Sequence, residues 1–158
     1  MNISIICVGK LKENYLKSAI SEYSKRLSRF ATFEIIEVPD QKIPDNSGEK
    51  LEEQILQKEG DMILSKIKNN SHVIAMCVEG KLISSEELAN EIRNISMSTS
   101  NITFIIGGSL GLSETVKKRA DKRISFGKIT LPHQLMRVVL SEQIYRAFKI
   151  NSNEAYHK

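Results

Sequence analysis

Cysteine and histidine are scarce, with two and three in 158 residues. Cys7, Cys77, His72, His133 and His157 are scattered, with none of the close spacing of a metal site, so no metal is expected. Each cysteine sits in a short apolar run and reads as a small core residue, not as half of a disulfide. No apolar stretch approaches the roughly 20 residues of a membrane-spanning helix. The first such run, Ile3 to Val8, lacks the length and the basic lead-in of a signal peptide. A cytoplasmic protein that does not meet a membrane is expected. Missing motifs exclude further classes. There is no G-x-G-x-x-G and no Gly-Lys-Ser/Thr, which disfavours classical dinucleotide and P-loop sites. No Ser-His-Asp order and no close carboxylate pair supports hydrolase chemistry.

What is present is an ordinary globular composition, 41% hydrophobic and 27% charged. It fits a single domain over residues 1–158 with a proper core. Apolar, β-branched runs at Ile3–Val8, Phe33–Val38, His72–Val78, Ile102–Ile106 and the very short Ile124–Phe126 read as buried strands. Helical periodicity marks Tyr15–Leu27, Glu49–Ile67 and a stretch ending near Ser96 that Ser84 and Glu87 open as a capping box. A short basic helix begins at Ser113-Glu114, and a last one has Pro132 in its first turn. Gly80-Lys81 reads as a turn, and His72 as an exposed residue at a strand start. Strands that alternate with helices predict an α/β fold, a mostly parallel sheet with helices on both faces. Ligands of such sheets bind beyond the carboxyl ends of the strands, here Val78–Lys81, Gly107–Gly111 and Gly127–Leu131.

Net charge is +4, unevenly spread. Residues 117–158 hold ten Lys and Arg against three acids, so 10 − 3 = +7, while residues 1–116 carry 13 − 16 = −3. That basic end is either a solvated face or a surface for a polyanion. The loop Gly107-Gly108-Ser109-Leu110-Gly111 is either a small-ligand turn or a plain tight turn. His133, in the first turn of the last helix, could orient a substrate or accept a proton, or could merely cap the helix. The end Glu154-Ala155-Tyr156-His157-Lys158 is either a frayed terminus or a dense set of proton-accepting, stacking and phosphate-binding groups.

Several segments together resemble one known family: Ile6-Cys7-Val8-Gly9-Lys10-Leu11-Lys12, Ile35-Ile36-Glu37-Val38-Pro39-Asp40, Ile105-Ile106-Gly107-Gly108-Ser109-x-Gly111-Leu112, Pro132-His133-Gln134-Leu135-Met136-Arg137, Glu142-Gln143-Ile144-Tyr145-Arg146-Ala147 and the end Glu154–Lys158. They look like the ribosomal RNA large subunit methyltransferase H (RlmH) family, of the SPOUT class, over the whole chain. The resemblance implies a C-terminal trefoil knot, a rare exception among folds, and a homodimer. It implies S-adenosylmethionine as cofactor and methylation of N3 of a pseudouridine in 23S rRNA within the assembled 70S ribosome. By position it implies cofactor contacts at Met76, Gly107, Phe126, Gly127, Lys128, Ile129, Thr130 and Leu131. Gly127 stands where relatives often carry serine.

Such a reaction has a leaving group that needs no acid, because the departing sulfur is already cationic. The imide N–H of the target is a poor nucleophile until deprotonated, so a base or a local positive field is required. Tyr156, His157 and His133 are the catalytic candidates, with Arg137 or Lys158 for phosphate and charge. Two other readings compete: a ribosome-binding module without catalysis, and an unrelated α/β protein that binds NAD or a flavin.

Overall fold

The computed structural model describes residues 1–158. Its core is one parallel sheet of five strands in the order β2-β1-β4-β3-β5. The strands are β1 (Asn2–Val8), β2 (Thr32–Val38), β3 (Ser71–Leu82), β4 (Asn101–Ile106) and β5 (Lys122–Ser125). The helices are α1 (Asn14–Leu27), α2 (Glu49–Lys66), α3 (Ser85–Ser96), α4 (Glu114–Arg119) and α5 (His133–Asn151). The expected α/β architecture is the observed one.

Side chains alternate across each buried strand, so β1 and β4 feed two cores. Ile3, Ile5 and Cys7, with Ile102, Phe104 and Ile106, meet α1, α3 and α5 through Leu27, Leu88, Ile92, Leu140 and Ile144. Ile6, Val8 and Ile105 meet α2 and α4 on the other face through Ile63 and Val116. Helix starts follow the local sequence. The Ser84 hydroxyl accepts from the Glu87 amide while Glu87 accepts from the Ser84 amide, and Ser113 caps α4 through the Val116 amide.

Four local expectations change. Gly80-Lys81 is not a turn but part of β3. The ladder with β5 slips there, since Met76 and Lys81 both register against Ile124. A Cβ on Gly80 would lie 2.7 Å from the Ile124 carbonyl carbon, so only glycine lets β3 rejoin β5 so closely. Phe126 lies just beyond β5, and Pro132 precedes α5 as its N-cap. His72 is half-buried, its Nε2 enclosed without a hydrogen-bond partner.

Candidate active site

The slip in β3 releases Cys77–Glu79 from the ladder. Together with the turn after β4 and the loop after β5 they enclose a cavity of about 510 Å³, within the roughly 300–1,000 Å³ range of small-ligand sites. Seven of the eight expected cofactor residues line it: Met76, Gly107, Phe126, Gly127, Ile129, Thr130 and Leu131. Lys128 is exposed and does not. Glu79 and Leu110, within the expected ends Val78–Lys81 and Gly107–Gly111, also line the cavity, as do Cys77, Lys117 and Met136, which the sequence did not mark for the site. Only their neighbourhood to the expected strand ends and loops could have pointed to them.

The glycine turn is tightly closed. Gly111 N–H donates to the Gly108 carbonyl at 3.0 Å, and a Cβ on Gly107 would lie 2.4 Å from the Gly111 carbonyl oxygen. The Gly107 requirement therefore comes from the turn itself as much as from any ligand. At the rim, Lys117 Nζ lies 2.5 Å from a Glu79 carboxylate oxygen. That bond holds the ammonium above its ordinary value and the carboxyl below its own. No group of three or more His, Cys, Asp or Glu could hold a metal ion, and no helix is long and apolar enough to cross a membrane.

His133 opens α5 and lines the cavity. Its Nε2 lies 3.7 Å from where a Cβ on Gly9 would sit. Burial, then the nearby Arg137 guanidinium, push its pKa below the ordinary value, with Asp40 opposing. That environment favours the neutral imidazole, the form that can take a proton.

The other two catalytic candidates lie elsewhere. The tail is ordered and folds back along α5. Tyr156 stacks on Tyr145 with ring centroids 5.0 Å apart, and its hydroxyl donates to Glu142 at 3.1 Å. Burial, then that carboxylate, raise its pKa, so the phenol stays protonated. His157 Nδ1 lies 3.2 Å from Arg146 Nη1, which can only donate, and Nε2 lies 2.7 Å from Glu86 Oε1. The ring is thus held between a donor, Arg146, at Nδ1 and an acceptor, Glu86, at Nε2. Neither residue lines the cavity that His133 borders.

The basic end is less free than its sequence suggests. Of its ten cations, Lys117, Arg119, Lys122, Arg137, Arg146 and Lys149 are ion-paired. Arg137 is no phosphate ligand: it is fully buried and donates to Glu37 at 2.7 Å and to the Gly9 carbonyl at 2.7 Å. Breaking a buried pair costs about 3–5 kcal/mol. The Glu37 side chain is 38% exposed and can rehydrate, so Arg137→Met is expected at or below the lower end of that range. Urea unfolding of the purified variant measures it, and an unchanged midpoint would refute the structural role assigned to this arginine.

Residues 1–157 match the family described as a predicted SPOUT methyltransferase. The ribosomal RNA large subunit methyltransferase H of Clostridium perfringens strain 13 is 63% identical over 100% of both chains. The protein of that name from Lactobacillus acidophilus is 59% identical, again over 100% of both. A tRNA (m1G37) methyltransferase from Aquifex aeolicus shares the fold, with a TM-score of 0.53 at 17% identity over 92% of this chain and 70% of that one. With a family model matched over residues 1–157 and full-length matches at this identity, the chain belongs to the SPOUT methyltransferases and, within them, to the ribosomal RNA large subunit methyltransferase H family.

Proposed function

We propose that this protein transfers a methyl group from S-adenosylmethionine to N3 of a pseudouridine in 23S rRNA of the assembled 70S ribosome. It does so in the cytoplasm, as a single-domain homodimer whose C-terminal part forms a trefoil knot. The observation that carries the reading is the cavity at the ends of β3, β4 and β5, lined by seven of the eight residues for which the family resemblance implies cofactor contacts. Full-length relatives bearing the name ribosomal RNA large subunit methyltransferase H support the substrate class.

The cavity's chemistry fits the cofactor. An adenine ring and a sulfonium need apolar walls and backbone hydrogen bonds, not a phosphate cradle. Met76, Phe126, Ile129 and Leu131 supply such walls, and the glycine turn at Gly107, Gly108 and Gly111 lines the cavity beside them. When bound, S-adenosylmethionine supplies an activated methyl group on a cationic sulfur. The protein's share is to orient the target base, exclude water and favour the imide anion. His133 borders the cavity as a neutral imidazole able to accept the N3 proton. Tyr156 and His157, held away from the cavity of their own chain, serve as the substrate-side wall of the partner subunit's site.

The test is mass mapping of 23S rRNA after incubating 70S ribosomes with enzyme and cofactor. One added methyl group on a single pseudouridine is expected. An unmodified 23S rRNA overturns the reading in favour of a ribosome-binding module. Thermal stabilisation by NAD but not by S-adenosylmethionine overturns it in favour of a dinucleotide-binding protein.

A further inference from the structure

Three of the segments that carry the family resemblance converge at a second place, beyond the ends of β1 and β2. Glu37 Oε2 accepts from the Leu11 amide at 2.8 Å, Gln134 Oε1 accepts from the Lys12 amide at 3.2 Å, and the Gly9 amide donates to the Val38 carbonyl at 2.8 Å. Arg137 completes the grip through the Gly9 carbonyl and Glu37. Burying a guanidinium is costly, and an apolar side chain of similar volume often serves packing as well or better. Here the buried charge ties Gly9, at φ +89°, directly and Leu11 through Glu37, at the start of the connecting chain that runs to Glu13. The loop carries two lysines, Lys10 and Lys12, both exposed and neither with a carboxylate within 4 Å. Gly9 lies near His133, which lines the cavity, and a Cβ on Gly9 would stand 3.7 Å from the His133 Nε2. Of the carboxylates nearby, Glu37 is already paired with Arg137, while Asp40 lies near Gly9 and Glu13 closes the loop. By contrast, three cations of the α4–β5 face, Lys117, Arg119 and Lys122, are committed to acids.

We propose that the β1–α1 loop is a preorganised phosphate-docking edge, where Lys10 and Lys12 contact the backbone of the RNA strand whose nucleotide enters the cavity. The proposal rests on the rRNA methyltransferase reading and names the surface that reading lacks. Lysines on an anchored backbone lose less backbone freedom on binding than those of a mobile loop, so the grip on the chain favours docking over simple attraction. Phosphate contacts of this kind set register and carry the salt dependence of binding.

The experiment measures binding of 70S ribosomes by the full-length protein from 50 to 200 mM salt, for wild type, K10Q, K12Q, K10Q/K12Q and K10R/K12R. Each glutamine variant is expected to lower the salt slope by roughly 0.7–0.9. The double variant's deficit should narrow about tenfold across that salt range, while K10R/K12R keeps the wild-type slope. S-adenosylmethionine affinity by calorimetry should stay unchanged in all four, which reports an intact fold. Wild-type slopes in the glutamine variants overturn the proposal, and so does a slope lost in K10R/K12R. Wild-type protein that binds ribosomes but transfers no methyl group overturns the enzymatic reading and leaves the docking edge standing. Wild type that does not bind ribosomes overturns both.

Discussion

Gly107→Ala is expected to weaken S-adenosylmethionine binding about 10- to 100-fold, and Gly107→Val at least as much. The argument is steric and local to the turn. A Cβ at residue 107 would stand 2.4 Å from the Gly111 carbonyl oxygen and 2.6 Å from its carbonyl carbon. Both are backbone atoms, which cannot swing aside as a side-chain tip does. The turn must open, at the roughly 1–3 kcal/mol typical of overpacking, and that strain falls on the segment that floors the cavity. At about 1.4 kcal/mol per tenfold in affinity, a cost of this size yields the stated loss. Calorimetric titration with the cofactor measures it. Wild-type affinity in the alanine variant would remove Gly107 from the cofactor site. Gly108→Ala is the internal comparison. Its Cβ would meet the Val8 side chain at 3.1 Å, so a smaller effect is expected there.

Deleting Tyr156 to Lys158 is expected to cut methyl transfer to ribosomes by at least about 10²-fold, the scale of a lost positioned acid–base group. Cofactor affinity should change little, because no tail residue lines the cavity. A 19-residue α5 is about 28 Å long, and the tail returns only as far as Glu142 and Arg146, so its groups stay away from their own cavity. In a two-fold dimer the same groups can complete the other subunit's site. That arrangement has its own test, in mixed dimers of a Gly107→Val subunit with a full tail and a tail-deleted subunit with an intact turn. If the tail acts across the dimer, each mixed dimer has one complete site, and random mixing restores roughly a quarter of wild-type activity. If it acts within its own chain, mixing restores nothing. Full activity of the truncated enzyme would leave His133 as the base. Its lowered pKa then places the acid limb of kcat/KM below the ordinary histidine value near 6.5, with activity falling only as pH drops through that lower value.

Much of this molecule was legible because its determinants are local. The runs at β1 and β4 are apolar on both faces, which only a sheet covered on both sides accepts. Ser84 with Glu87 and Ser113 mark helix starts through bonds that span three residues. The cavity could be anticipated at the strand ends because parallel sheets with helices on both faces leave their crevices there. The boundary errors are equally informative. Gly80-Lys81 looks like a turn to any local rule, yet β5 lies within reach and pairs with Lys81 and Leu82.

By itself the sequence determined the order of strands and helices, the edge of the sheet where the cavity opens and the family. These depend on periodicity, caps and motifs that neighbouring residues complete among themselves. Only the tertiary structure decided which charges are free, where the tail lies and what Arg137 does. Arg137 meets Glu37 100 residues away, Glu79 holds Lys117 across the cavity rim, and Glu86 meets His157 71 residues on. A lysine or arginine has the same appearance in a sequence whether it is solvated, paired or buried. Its environment is set by chain crossings that bring distant carboxylates within a few ångströms, where Coulomb attraction and desolvation decide its state.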